Sequence, residues 1–318
     1  MTYDLAQLRV FLAVAETGTG GQAADRLHMS QPALSRAIKR LENAVGEPLF
    51  ERHATGMRLT SYGEALLPHA QLLNREEAAA REQMNAMRGL AAGTLRIGSS
   101  SSTSALMLPN ILALFWKRWP GIQVEAVEGV RDELMLALAG YEVDLILATE
   151  SAETPDVIAV KDCRWNENVG VVVGRSHPLR GRSDRISMSE LNGERWCVTP
   201  AGTDPRQRLM QLFAASGYPL PHTVLSTTSI QMLKSLVVHS NLISWLTEPM
   251  YEAEKLAGNM HPIDVIGLTE TRTFTVFRRR NGVLSRPASS FIGILRDYLA
   301  HAKLNVRAEV ELSHRGCG

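Results

Sequence analysis

Ser30-Gln31-Pro32-Ala33-Leu34-Ser35-Arg36-Ala37-Ile38-Lys39-Arg40-Leu41-Glu42 decides how the first sixty residues fold. Ser30 is a helix-capping side chain, and Pro32 falls in the first turn, where its missing N–H costs nothing. Leu34, Ile38, Leu41 and Val45 then recur at helical spacing as one apolar stripe, which Gly46 ends. Upstream, Leu5, Leu8, Leu12 and Ala15, with Phe11, mark a first helix that stops at Gly18; Ala23, Ala24 and Leu27 mark a short second one. A short helix, a tight turn and a helix opening on small polar residues predict a helix-turn-helix, whose second helix enters the major groove N-terminus first.

The residues away from the stripe suit that task. Gln31 and Arg36 can make paired hydrogen bonds to base edges, Ser30, Ser35 and Lys39 can hold phosphate, and Pro32 and Ala33 allow close approach. Between positions 26 and 58, Arg26, Arg36, Lys39, Arg40, Arg52 and Arg58 stand against Glu42, Glu47 and Glu51, a modest basic surplus. The segment Glu51–Thr60, with Gly56 at its centre, predicts a hairpin wing that lays Arg52 and Arg58 along the DNA backbone. The bland alternative is the solvated face of a small helical bundle, but the polar residues gather on one helix start. A sharper competitor is Gly18-Thr19-Gly20-Gly21-Gln22-Ala23, which matches the dinucleotide-binding G-x-G-x-x-A, with Glu42 near the ribose-binding position. It fails on context: the preceding run has helical spacing, and the next helix is too short for a crossover before Pro32.

A chain of 318 residues suits two or three compact units, and 45% hydrophobic with 21% charged residues excludes a disordered or collagen-like chain. The net charge of +1 means that any affinity for nucleic acid comes from a local patch. No apolar run approaches the ~20 residues of a membrane span, and the N-terminus lacks a secretory layout, so a cytoplasmic protein without membrane contact is expected. Cys163, Cys197 and Cys317 are odd in number and widely spaced, which argues for inert thiols over disulfides or a metal site.

From Ser61, a capping box, Ser61-Tyr62-Gly63-Glu64, opens a long Ala- and Glu-rich helix running toward Leu90. Leu66, Ala70, Leu73, Ala80, Met84 and Met87 form a heptad seam interrupted by Glu77, which predicts pairing of two copies, and Ala91-Ala92-Gly93-Thr94 forms a hinge. Beyond it, strands at 94–98, 122–128 and 143–148 alternate with helices at 104–119 and 132–139, predicting a parallel sheet. A second set follows, with strands at 169–173, 195–199, 223–226 and 242–245 and helices at 206–216 and 230–238; the strand 274–278 returns to the first sheet and the helix 290–300 closes the fold, leaving 301–318 as a trailing tail. Hydroxyl-bearing residues crowd the strand-to-helix corners: Ser99 to Ser104, Thr149, Thr199 and Thr203 with Arg206, and Thr227-Thr228-Ser229. Any one of them can be a helix cap; their recurrence at the carboxyl ends of strands predicts a ligand cleft suited to a small anion or carboxylate. No nucleophile, metal-ligand or phosphate-loop motif occurs, and His177 and His239 lack a matched acid, so no catalytic residue and no metal are expected.

With Leu8-Arg9-Val10-Phe11, Ala23-Ala24-Asp25-Arg26-Leu27, Ser30 to Arg36, Pro48-Leu49-Phe50-Glu51-Arg52 and Leu59-Thr60, the chain resembles the LysR-type transcriptional regulators. Leu95-Arg96-Ile97-Gly98, Trp119-Pro120, His177-Pro178-Leu179 and Ser187 to Leu191 continue the likeness. Gly20 departs from it, standing where the family usually places a bulky apolar residue. The resemblance implies an α plus α/β fold: a winged helix-turn-helix (1–60), a linker and dimerisation helix (61–92) and an effector domain (93–318) resembling periplasmic solute-binding proteins. Its first lobe would span about 93–161 and 268–300, and its second about 162–267. Implied partners are double-stranded DNA, a small-molecule effector, RNA polymerase and further copies of the chain as a homodimer or homotetramer; no cofactor beyond the effector is implied. By the same resemblance, Ser100, Ser102, Thr149, Thr203 and Thr228 contact the effector.

Overall fold

The computed structural model describes residues 3–53, 56–87, 93–182, 184–281 and 284–315; the side chains of 52, 79, 82, 83, 85–87 and 302–315 lie outside that description. The chain divides into two compact units, one of residues 1–92 with 140–142, the other of 93–139 with 143–318.

The first unit holds α1 (Leu5–Thr17), α2 (Gly20–Arg26), α3 (Gln31–Val45), the hairpin β1 (Phe50–His53) and β2 (Gly56–Leu59), and α4 (Ser61–Met87). Asp4 and Gln7 build a reciprocal capping box at the start of α1, and Gly18, at φ 69°, ends it in the left-handed region. Leu8, Phe11, Val14, Leu34, Ile38, Leu41, Leu49 and Phe50 form the core, each fully buried Leu or Phe contributing roughly 1.5–3 kcal/mol. Two expectations change. The cap of α4 is Thr60, whose Oγ1 accepts from Gly63 N at 3.1 Å, rather than a box begun by Ser61. The first turns of α4 also pack on their own unit: Ala70 is buried, Leu66 and Leu67 are half-buried, and Arg9 of α1 donates to Asn74 and Glu77. The seam is therefore left with Leu73, Ala80 and Met84 exposed, and the Met87 side chain lies outside the described residues.

The second unit carries β3 (Gly93–Ser99), α5 (Ser101–Ala105), α6 (Met107–Arg118), β4 (Ile122–Glu128), α7 (Arg131–Ala139), β5 (Leu145–Thr149) and β6 (Val157–Gly174). There follow β7 (Arg195–Val198), α8 (Asp204–Ala215), β8 (His222–Ser226), α9 (Ile230–His239), β9 (Ser244–Thr247), α10 (Glu248–Leu256), β10 (Met260–Ile263), β11 (Glu270–Arg279) and α11 (Arg286–Arg315). β3 pairs in parallel with β4 and β5, as expected. The sheet as a whole is mixed: β6 pairs antiparallel with β9, β10 and β11, and β11 antiparallel with β5. The order is β10-β6-β11-β5-β3-β4, with β9 also on β6. One lobe's core gathers Leu95, Ile97, Phe115, Phe274 and Phe291, the other's Val171, Trp196, Phe213 and Trp245, and the 18-residue β6 serves both.

The helix expected over 104–119 is two helices broken at Leu106. Pro109 has no N–H for the Ala105 carbonyl, so one straight helix cannot run through that turn. The expected tail continues α11 instead, which runs from Arg286 to Arg315; 316–318 and residues 91 and 92 of the expected hinge lie outside the described residues.

Candidate functional site

On the first unit, Ser30 is the N-cap of α3, its Oγ accepting from Ala33 N at 3.4 Å. Ser30, Gln31, Pro32, Ser35, Arg36 and Lys39 are all exposed on one side of the helix start, opposite buried Leu34, Ile38 and Leu41. Among the described residues, Arg36, Lys39, Arg40 and Arg58 form no ion pair, so their charge is available to phosphate; Arg26 is engaged by Glu16 at 2.5 Å, which trims the expected basic patch. The wing sets Arg58 opposite Glu51 and Arg52 opposite Met57; the Arg52 side chain and residues 54 and 55 lie outside the described residues. Met57 N donates to Gly18 O at 2.7 Å, tying the wing to the turn after α1. The run before Gly18 is a helix rather than a strand, and Glu42 accepts from Leu49 N at 2.9 Å, which leaves the dinucleotide motif without its fold or its acid.

On the second unit, Ser100, Ser102, Thr149, Thr203 and Thr228 all line one cavity of about 630 Å³, a volume suited to a small organic molecule. Ser100 and Thr203 stand at helix N-caps, yet neither side chain caps: Ser100 Oγ pairs with Thr103 Oγ1 at 3.1 Å, and Thr203 Oγ1 donates to Pro200 O at 2.8 Å. Thr228 is exposed, while its neighbour Ser229 does the capping of α9. Val130, Val169, Ile230, Trp245, Met250 and Phe274 supply an apolar wall.

Several residues of this cleft carry no local sequence signal. Arg272 of β11 ion-pairs with Asp204 of α8 and reaches Thr149 Oγ1 at 3.4 Å, and Arg131 of α7 stands 3.8 Å from the same Asp204. These arginines, not Arg206, face the cleft; Arg206 Nη2 donates to Thr223 Oγ1 at 2.8 Å behind it. Beneath the serines lies Glu167, 6% exposed, whose carboxylate accepts from Trp165 Nε1 at 2.9 Å and from the Ser102 hydroxyl. Thr247 Oγ1 donates to Ser102 Oγ at 2.9 Å, and the Trp165 ring stacks on Phe274. Burial pushes the Glu167 carboxyl up to about 7, against the indole hydrogen bond and the positive field of Arg272. A long-range strand pairing sets Arg272 across from Glu167, a juxtaposition that no sequence spacing announces.

His177 has an acid after all: its fully buried Nε2 lies 3.4 Å from Glu194 Oε2, while its Nδ1 accepts from Leu179 N at 3.2 Å. The Leu179 contact holds the turn at 177–179. Burial raises the Cys163 thiol and lifts Cys197 to about 11, so neither is a ready thiolate; Cys317 lies outside the described residues. Among the described residues, no helix is long and apolar enough to cross a membrane.

Residues 5–64 match the family described as "Bacterial regulatory helix-turn-helix protein, lysR family", and residues 88–300 match "LysR substrate binding domain". The SDS degradation transcriptional activation protein of a Pseudomonas strain is 31% identical over 300 residues, covering 92% of this chain and 96% of its own. The RuBisCO operon transcriptional regulator of Allochromatium vinosum is 28% identical over 291 residues, with coverage of 92% and 95%. A solved full-length OxyR variant from Pseudomonas aeruginosa superposes with a TM-score of 0.70 at 24% identity, covering 93% of this chain and 94% of that one. A full-length CbnR solved with its target DNA gives 0.66 at 21%, with coverage of 93% and 99%; both structures share the fold. The helix-turn-helix, the hydroxyl-lined cleft and these matches place the chain among regulators rather than enzymes: it belongs to the LysR family of DNA-binding transcriptional regulators with an effector-binding domain.

Proposed function

We propose that the effector is a small molecule with one anionic head on an apolar body, held between the two lobes of the second unit in the cytoplasm. The observation that carries this reading is the convergence of five hydroxyl residues, Ser100, Ser102, Thr149, Thr203 and Thr228, from four separate stretches of chain onto one cavity. Hydroxyls and backbone amides hold an anion, and the apolar wall takes the rest of the molecule. Effector occupancy biases lobe closure, and through the oligomer it resets the spacing of two DNA-reading heads, the DNA bend and the recruitment of RNA polymerase. Ser30, Gln31, Pro32, Ser35 and Arg36 read bases or fix register, with Lys39, Arg52 and Arg58 on phosphate. The exposed Leu73, Ala80 and Met84 stripe of α4 pairs two copies into a dimer, the unit from which a tetramer is built. The test is a thermal-shift screen of carboxylates and sulfonates on the full chain and on Ser102→Ala. Hits that stabilise the wild type and lose at least tenfold in affinity in the variant support the reading; hits indifferent to Ser102→Ala contradict it.

A further inference from the structure

Ser102 has one proton to give, and beside an ionised Glu167 that proton is committed. Its hydroxyl accepts from Thr247 and donates to Glu167, so what it turns to the cleft is lone-pair density. An incoming anion needs the opposite, a donor, and it would also stand one hydroxyl away from a second negative charge in a buried setting. No spare cation relieves this among the described residues. Arg272, the cross-strand partner of Glu167 on β11, is held by Asp204 of α8; Arg131 of α7 leans on that same Asp204; and Glu128 and Glu133 on the cleft wall are themselves acidic. The elements beneath the floor, α5 and β9, offer hydroxyls rather than charges at this point.

A proton on Glu167 resolves both conflicts. The neutral carboxyl then donates to Ser102 Oγ, the Ser102 hydrogen turns to the ligand, and the like-charge repulsion is gone. Trp165 still has a carbonyl oxygen to donate to. We propose that Glu167 takes up one proton when an anionic head group seats on the Ser100–Ser102 floor, so that the cleft binds its acid effector together with a proton. This makes Glu167 a positioning residue for the effector, and it rests on the anionic-effector reading above. The carboxyl's raised affinity for protons places the coupling near neutral pH, where a small change decides whether the floor is a donor or an acceptor.

The test uses the full chain and a fixed panel: benzoate, 2-naphthoate, 1-hexanesulfonate and inorganic sulfate, with neutral benzamide as the isostere. The acids of this panel stay ionised between pH 6 and pH 8, so any proton taken up comes to the protein. Panel anions should bind about tenfold more weakly at pH 8 than at pH 6, and calorimetry at pH 8 in two buffers of different ionisation enthalpy should count close to one proton absorbed per anion. In Glu167→Gln the pH dependence should vanish, and benzamide should show none in either protein. An affinity independent of pH, or zero protons counted in the wild type, overturns the proposal; the proton count needs no variant to fold. Binding of benzamide without any anion, or silence from every probe at both pH values, instead contradicts the anionic-effector reading on which it stands.

Discussion

Two glycines of the DNA-reading unit look alike in sequence and differ in what they tolerate. Gly56 has a φ of 143°, and a Cβ there would lie 2.4 Å from the Gly18 carbonyl that the wing's Met57 N–H already uses. Gly56→Ala should cost about 1–3 kcal/mol in chemical denaturation and loosen the wing on DNA. Gly20 has room: a Cβ there meets Leu34 at 3.7 Å and Met57 at 3.9 Å, ordinary contact distances. Gly20→Ala should stabilise the unit by roughly 0.4–1 kcal/mol through the unfolded chain. Glu167 adds a pH signature. Its folded value, about 7, lies above its ordinary 4.5, so the native state holds the extra proton between them. The stability this confers is full below pH 4.5 and lost as pH rises through 7, on the order of 3 kcal/mol in total. Denaturation curves of wild type and Glu167→Gln should therefore diverge by that amount from pH 4.5 to pH 7.5; parallel curves would contradict the burial argument.

At the scale of elements, the helices of the first unit were legible because each carries its own signals: Ser30 with Pro32 at the start of α3, Gly46 at its end and one apolar stripe between. The strands β3, β4 and β7 were legible for the same reason. What escaped was set at long range. Nothing near Val157 shows that an 18-residue strand will pair with β11 more than a hundred residues later, and β10 becomes a strand only through its pairing with β6. The cleft divides likewise: the serines and threonines stand at strand ends and could be read off, whereas Glu167 and Arg272 meet only through that pairing, and Asp204 reaches Arg272 from α8. The wing carries its own prediction. Arg58→Ala should reduce the slope of log K against log salt by about 1 with base preference unchanged; an unaltered slope would remove the wing from the phosphate backbone. On α4, Leu73→Asp with Met84→Asp should shift the particle to monomer in analytical ultracentrifugation if the exposed stripe pairs two copies.

For the whole molecule, the two units separate the tasks of reading DNA and sensing a ligand, and the chemistry of each is confined to its own side chains. On a chain of net charge +1 the attraction to DNA is a local one, and the proposed reading assigns specificity to base contacts made by α3. The most direct measurement is selection by the full chain from a pool of random-sequence duplexes, run in parallel with Arg36→Ala. The expected result is enrichment of a motif with two half-sites spaced by about one helical turn or a multiple of it, degraded at defined positions by Arg36→Ala. A pool that emerges unenriched, or the same motif with and without Arg36, would contradict the reading of α3 as the element that recognises sequence.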